Sequence, residues 1–336
     1  MNIIVPMAGL GKRMRPHTLT VPKPLIPIAG KPIVQRLVED IARVCGEPVE
    51  EVNFIIHPSF GKETEARLHE IAASVGAQCK ISFQEKALGT AHAILCAADS
   101  LRGNLVVAFA DTLFRADFRL AQGHPNTIWV QKVEDPRAFG VVKMNGEGQI
   151  TDFVEKPEQF VSDLAIIGIY YFQDGESLKA ELQYLIDNDI RDKGEYQLTN
   201  ALENMKNKGV VFVPGQVDEW LDCGNKNATV HTNSRYLEFL PAGELISSAA
   251  LLENSVIIPP VYAGPGAQIR NSVVGPHVSI GAGSHLEGCI IQSSLIQDNA
   301  RLKNAVVKNS MVGNHAMVAG NAADFSLGDY NEIRLS

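Results

Sequence analysis

The chain has 336 residues, beyond the usual size of a single domain, so two domains are expected. Hydrophobic residues make up 45% and charged residues 20%, which excludes a disordered or fibrous chain. The formal net charge of −8 excludes a surface that coats nucleic acid, so a local basic cluster points instead to a small anionic ligand.

The five cysteines, Cys45, Cys79, Cys96, Cys223 and Cys289, are widely spaced and form no disulfide or zinc pattern. No apolar run reaches the length of a membrane span. The N-terminus reads as a strand rather than a charged segment with an apolar core and cleavage site, so a cytoplasmic location is expected. Ile3-Ile4-Val5 is followed at once by Met7-Ala8-Gly9-Leu10-Gly11-Lys12-Arg13-Met14-Arg15-Pro16, with Pro22-Lys23-Pro24 behind it. Glycines let a backbone approach a polyanion, and successive N–H groups can cradle phosphate oxygens. Lys12, Arg13, Arg15 and Lys23 could neutralise a triphosphate. The P-loop and dinucleotide patterns both fail here: Pro6 stands where a P-loop has its first glycine, and Met14 where G-x-G-x-x-G has its third.

Residues 31–42 have helical spacing, with Pro32 near the start and Gly46 beyond the end. Val52–Ile56 reads as a buried strand and 61–75 as a helix closed by Gly76. Lys80–Gln84, the helix from Gly89 to Ala98 and the strand Leu105–Ala110, ending at Asp111, complete an alternation. Such alternation predicts a mostly parallel, Rossmann-like α/β sheet whose ligands bind beyond the carboxyl ends of the strands. Shorter strands follow at Thr127–Val133, Gly140–Met144, Ile150–Glu155 and Ala165–Phe172. Helices near 175–187 and 197–207 come next, then strand-like Val210–Val213 and Glu219–Asp222. A helix over 226–240, stopped by Pro241 and Gly243, sets the expected boundary between domains 1–240 and 241–336.

Beyond the boundary, aliphatic or small residues recur every five or six positions at Leu252, Ile257, Ala263, Ile269, Val274, Ile280, Leu286, Ile291, Ile296, Leu302, Val307, Val312 and Val318. This spacing resembles the left-handed parallel β-helix of hexapeptide-repeat proteins over 245–320, where short strands bury their apolar faces by stacking. The tail from Asn321 reads as a cap or loop.

The first stretch resembles the signature of the sugar-1-phosphate nucleotidyltransferases (NDP-sugar pyrophosphorylases), A-G-x-G-x-R-[LM]-x-P followed by P-K. Further motifs fall in the family's order over nearly all of 1–225. The resemblance implies a glucose-1-phosphate thymidylyltransferase- or uridylyltransferase-like enzyme that joins an NTP to a hexose 1-phosphate and releases pyrophosphate. It implies phosphate binding by Ala8, Gly9, Gly11 and Lys12, with Arg13 and Lys23 as catalytic cations. Gln84, Gly89 and Thr90 match its nucleobase segment; a side-chain amide that both donates and accepts suits uracil or thymine. Gly140 (in Phe139-Gly140-Val141), Glu155 and Lys156 (in Glu155-Lys156-Pro157) and Gly168 match its sugar-phosphate elements. Gly194–Thr199 resembles a neighbouring G-E-x-x-[LI]-T element. Asp111 and Asp222 correspond to the carboxylates that hold Mg²⁺, although Ala110 replaces the usual glycine before Asp111.

The reaction sets two anions against each other, so catalysis must be charge neutralisation and in-line positioning. It needs no protein nucleophile, and none is evident. The expected partners are therefore dTTP or UTP and a sugar 1-phosphate, glucose 1-phosphate by default, with Mg²⁺ as cofactor, no nucleic acid and no membrane. Self-association through the β-helix is expected. Two alternatives stand beside this reading. One is a non-catalytic NDP-sugar sensor, kept open by Ala110. The other is a bifunctional enzyme with acyltransfer in the β-helix, using His277, His285 or His315 as base.

Overall fold

The structure, a computed structural model, describes residues 1–120 and 123–320; the tail from Asn321 lies outside them. It divides into two compact units, Met1–Thr232 and Asn233–Ser336. The division falls inside the helix Lys226–Phe239 rather than after it.

In the first unit the elements alternate as β1 (Asn2–Pro6), α1 (Ile33–Val44), β2 (Glu51–Ile56), α2 (Gly61–Ser74), β3 (Gln78–Phe83), α3 (Thr90–Leu95) and β4 (Leu105–Ala108). These strands pair in parallel in the order β4-β1-β2-β3. β1, β2 and β4 are buried at every position, as expected of parallel strands covered on both faces, and this includes the polar Asn2, Glu51 and Asn53. α1 buries Ile33, Val34, Leu37, Val38, Ile41 and Val44, which recur at three- and four-residue intervals along one stripe.

The expected strand at Leu105–Ala110 ends two residues early. The chain turns at Phe109–Asp111 and re-forms as β5 (Thr112–Arg115), outside the main sheet. β6 (Asn126–Lys132), β7 (Gly140–Met144), β8 (Ile150–Glu155), β9 (Leu164–Phe172) and β10 (Phe212–Gln216) then extend the sheet. Among the described residues it has nine strands: β8-β7-β9-β4-β1-β2-β3 along the path, with β6 on β9 and β10 on β6. β9 pairs antiparallel with β4, β6 and β7, so the sheet is parallel at one end and mixed at the other. α4 (Gly175–Asp187) and α5 (Leu198–Asn207) pack over this second half, burying Leu178, Leu182, Leu185, Ala201 and Leu202. β11 (Glu219–Asp222) pairs antiparallel with β5, setting Asp222 opposite Thr112.

The second unit stacks short parallel strands into three sheets, the arrangement of a left-handed parallel β-helix. The residues that set the sequence period point inward: Ala263, Ile269, Val274, Ile280, Leu286, Ile291, Ile296 and Leu302 are each 2% exposed or less. Leu252, at the first coil, is 40% exposed, because no coil lies beyond it on that side. The corners place Asn254, Asn271, Asn299, Asn304 and Asn309 in the left-handed region, which asparagine tolerates better than other side chains.

Candidate active site

A cavity of about 410 Å³ opens at the carboxyl ends of β1 and β4. Its wall brings together Ala8, Gly9, Gly11, Lys12, Arg13, Lys23, Gln84, Gly89, Thr90 and Asp111, ten of the residues singled out from sequence. Gly11 stands in the left-handed region at φ 59°. A Cβ there would lie 3.0 Å from side-chain atoms of both Lys23 and Thr18, so packing as well as backbone conformation requires glycine. Gly9 differs. A Cβ on it would meet nothing within 4 Å; its bare backbone faces the open cavity.

Asp111 follows the turn after β4, and Lys23 Nζ donates to its Oδ2 at 2.6 Å. Cys223 N–H donates to the Asp111 carbonyl at 2.8 Å, which ties the β4–β5 turn to the end of β11. Asp222 stands at that end, with Oδ1 accepting from Gly224 N–H at 2.9 Å. A Cβ on Gly224 would sit 2.9 Å from the same oxygen, so a side chain there would push the carboxylate from its place. Burial, and then the repulsion of Asp111, hold the Asp222 carboxyl above its ordinary pKa, against the opposing pull of Gly224 N–H, Lys23 and Arg13. Asp111 and Asp222, close enough for one to repel the other, offer hard oxygen donors of the kind that fits Mg²⁺, which takes one or two carboxylates plus substrate phosphates. Ala110 sits in this turn, 3% exposed and outside the positive-φ residues. The position takes a methyl group without strain.

Gln84 is buried to 7% exposure, yet lines the cavity. Its Nε2 donates to the Gly89 carbonyl at 3.2 Å and meets His92 Nδ1 at 3.0 Å. The amide nitrogen thus has two neighbours within the chain, and Oε1 carries no hydrogen bond from the described residues. Gly89 adopts φ 114°, and a Cβ on it would fall 2.4 Å from the Tyr196 carbonyl oxygen. Tyr196 N–H donates to Leu88 O at 2.8 Å, and Ala91 N–H to Tyr196 O at 2.9 Å. The Thr90 hydroxyl accepts from Leu198 N–H at 2.9 Å and donates to Gln197 Oε1 at 3.2 Å. It braces the loop, and both its bonds are spent on the chain itself.

The residues matched to sugar-phosphate elements gather elsewhere. Gly140 pairs with Glu155 across β7 and β8, and a Cβ on Gly140 would lie 3.2 Å from Glu155 Oε2. Thr199 Oγ1 donates to Glu155 Oε2 at 3.3 Å, while Lys156 Nζ pairs with Glu155 Oε1 at 3.1 Å. None of the three lines the cavity. Gly168, at φ 87°, approaches Phe109, which does. Two residues escaped the sequence reading as individuals: Glu195, which lines the cavity and accepts from Gln197 Nε2 at 3.1 Å, and His92. Both lie within motifs already quoted, but residue type alone carries no mark of their contacts.

In the second unit, His277 Nε2 meets Glu238 Oε1 at 2.9 Å, whereas His285 and His315 line one surface groove with Arg301. Among the described residues no group of three or more His, Cys, Asp or Glu could hold a metal, and no helix is long and apolar enough to cross a membrane.

A glycine-rich loop with Lys12 and Arg13, Lys23 and Asp111 thus gather in one cavity beyond the carboxyl ends of parallel strands, where α/β sheets bind ligands. The nucleotidyl transferase family pattern matches residues 3–238, and the chain belongs to that family. A second pattern, the GlmU-like C-terminal hexapeptide, matches residues 227–302. The bifunctional protein GlmU of Methanococcus maripaludis is 30% identical over 264 residues, covering 76% of this chain and 60% of the relative; the chain thus spans about three fifths of that relative's length. The glucose-1-phosphate thymidylyltransferase of Streptomyces antibioticus is 28% identical over 373 residues, covering 100% and 99%. Among solved structures, a nucleoside-diphosphate-sugar pyrophosphorylase from Vibrio cholerae aligns with TM-score 0.59 at 20% identity, covering 69% of this chain and 99% of that one. A UDP-glucose pyrophosphorylase complexed with UDP-glucose aligns with TM-score 0.56 at 24% identity, covering 70% and 98%. These two establish likeness of fold.

Proposed function

We propose that the protein is a Mg²⁺-dependent sugar-1-phosphate nucleotidyltransferase that takes dTTP or UTP and a hexose 1-phosphate, glucose 1-phosphate first. The observation that carries this reading is the meeting of Lys12, Arg13, Lys23 and Asp111 in one cavity, with Asp222 electrostatically coupled to the same group. The sugar phosphate oxygen attacks the α-phosphorus of the NTP; the bond from that phosphorus to the bridging oxygen breaks, and pyrophosphate leaves. Arg13 and Lys23 stabilise the charge that grows on the α-phosphoryl oxygens and the leaving group. Ala8, Gly9, Gly11 and Lys12 hold the phosphates by backbone and ammonium contacts. Asp111 and Asp222 would hold Mg²⁺, which when bound neutralises phosphate charge and fixes in-line geometry. Gly140, Glu155, Lys156 and Gly168 form the sugar-phosphate side.

Hydrogen-bond polarity supports this choice of base. Gln84 Oε1 is an acceptor, and Gly89 N–H has no acceptor among the described residues. An acceptor beside a donor complements the imide edge of uracil or thymine, which offers N3–H beside a carbonyl. The 28% identity to a glucose-1-phosphate thymidylyltransferase over the full chain supports the same choice.

The test is pyrophosphate release over a grid of NTPs and sugar 1-phosphates, with Mg²⁺ and with EDTA. One productive pair, silenced by EDTA, supports the proposal. Silence over the whole grid from folded protein refutes it in favour of a sensor. A second reading, acyl transfer in the β-helix, is favoured by the groove shared by His285, Arg301 and His315; thiol release from acetyl-CoA with amino-sugar phosphates tests it. The β-helix is also the proposed surface for self-association, measured by light scattering of the intact chain.

A further inference from the structure

We infer that His92 is a positioning residue that sets the polarity of the base reader by locking the Gln84 amide in one of its two orientations. This rests on the nucleotide reading above, and it concerns a side chain outside the cavity wall. A glutamine amide is close to symmetric in shape, so its two orientations differ only in which neighbours donate and which accept.

Two neighbours decide here. The Gly89 carbonyl can only accept, so the group 3.2 Å from it is the NH₂. His92 Nδ1, at 3.0 Å, is the nearer partner of that nitrogen. For both contacts to be hydrogen bonds, Nδ1 must be the bare, accepting nitrogen, with the ring proton on Nε2. Burial lowers the His92 pKa and so favours the neutral ring that this requires. Turning the amide over would set Oε1 against the Gly89 carbonyl and would force the ring proton of His92 from Nε2 to Nδ1. With both N–H groups engaged, Oε1 carries no hydrogen bond from the described residues, in a side chain that lines the cavity.

The consequence is selectivity among pyrimidines. Uracil and thymine present N3–H to this oxygen, whereas cytosine presents a bare N3 and meets acceptor with acceptor. Without His92 only the longer contact to Gly89 opposes the turned amide, which would offer N–H to cytosine.

The experiment compares the wild type with His92→Phe and His92→Asn, whose Oδ1 restores an acceptor at the position of Nδ1. Each is assayed for kcat and KM with dTTP, UTP and CTP, using glucose 1-phosphate and Mg²⁺. His92→Phe should reduce the preference for UTP over CTP about tenfold, the effect of one hydrogen bond of about 1.4 kcal/mol. The change should lie mainly in KM. His92→Asn should keep the preference within about threefold of the wild type. An unchanged ratio in folded His92→Phe, or its loss in both variants alike, overturns the inference. Long-range ¹H–¹⁵N spectra of the wild type give a readout that does not depend on the variants folding. A proton on Nε2 supports the assignment, and one on Nδ1 overturns it. A wild type that turns over nothing, or shows no preference for imide bases, refutes the nucleotide reading itself and not the hydrogen bond, which the spectra test alone.

Discussion

Asp222→Asn separates the chemistry of the cavity from its stability. The substitution keeps shape and retains an oxygen to accept from Gly224 N–H, now 2.9 Å from Oδ1, but removes the charge. In the folded protein the carboxyl is held above its ordinary pKa of 3.8, first by burial and then by Asp111. A raised carboxyl pKa means that the native state binds the proton more tightly than the unfolded chain. Its contribution to stability is therefore most favourable below about pH 3.8, and falls as pH rises through the folded value. At neutral pH the charged form is a net cost. Relieving the repulsion should therefore stabilise the metal-free protein at neutral pH. The expected sign is a higher Tm in EDTA. Loss of a metal carboxylate should at the same time lower kcat by about 10²-fold or more. Differential scanning fluorimetry in EDTA and pyrophosphate release in Mg²⁺ measure the two effects. Mg²⁺ should raise the Tm of the wild type and leave that of Asp222→Asn nearly unmoved. Normal turnover by Asp222→Asn, or a lowered Tm in EDTA, would refute the argument.

Gly89→Ala should raise KM for the nucleotide at least about tenfold, because its Cβ meets Tyr196 O at 2.4 Å at a φ of 114°; steady-state kinetics with the NTP varied reads it. Gly140→Ala places a methyl 3.2 Å from Glu155 Oε2. It should raise KM for the sugar 1-phosphate while KM for the NTP stays within about twofold, since a neighbour must give way only on that side. Arg13→Ala should lower kcat by about 10²-fold with little effect on folding, because Arg13 is an exposed residue of the cavity wall. In the β-helix, Ile291→Ala removes a fully buried side chain and should lower the free energy of unfolding by about 2–5 kcal/mol, measured in urea.

What could be read from the chain depended on whether the signal was local. The cavity loop was legible because glycines and cations crowd together directly after a buried strand. The β-helix was legible because its period repeats, and a stacked coil needs an inward residue at each turn. Gly140–Met144, Ile150–Glu155, Gly175–Asp187 and Glu219–Asp222 appear with the expected bounds, each set off by a change of hydrophobic pattern. Partnership was not legible. Nothing in residues 112–115 and 219–222 announces that they pair with each other, yet that pairing brings the Asp222 end of one strand against the turn that carries Asp111. Nor does the composition of β9 reveal antiparallel pairing with three neighbours. Gln84 shows the same limit at the scale of one side chain. Its type suggests base recognition, but which of its atoms remains available is decided by Gly89 and His92, through contacts no spacing rule encodes.

The close seat of Gly89 against Tyr196 has a consequence for protein engineering. Residues 88–91 and the segment 195–198 share four backbone or hydroxyl hydrogen bonds of 3.2 Å or less, with no room for a methyl group on Gly89 between them. They are one part in two pieces, far apart along the chain. Chimeras built to exchange nucleotide preference with a relative must transplant both pieces together, since a loop moved alone would meet a backbone shaped for another partner.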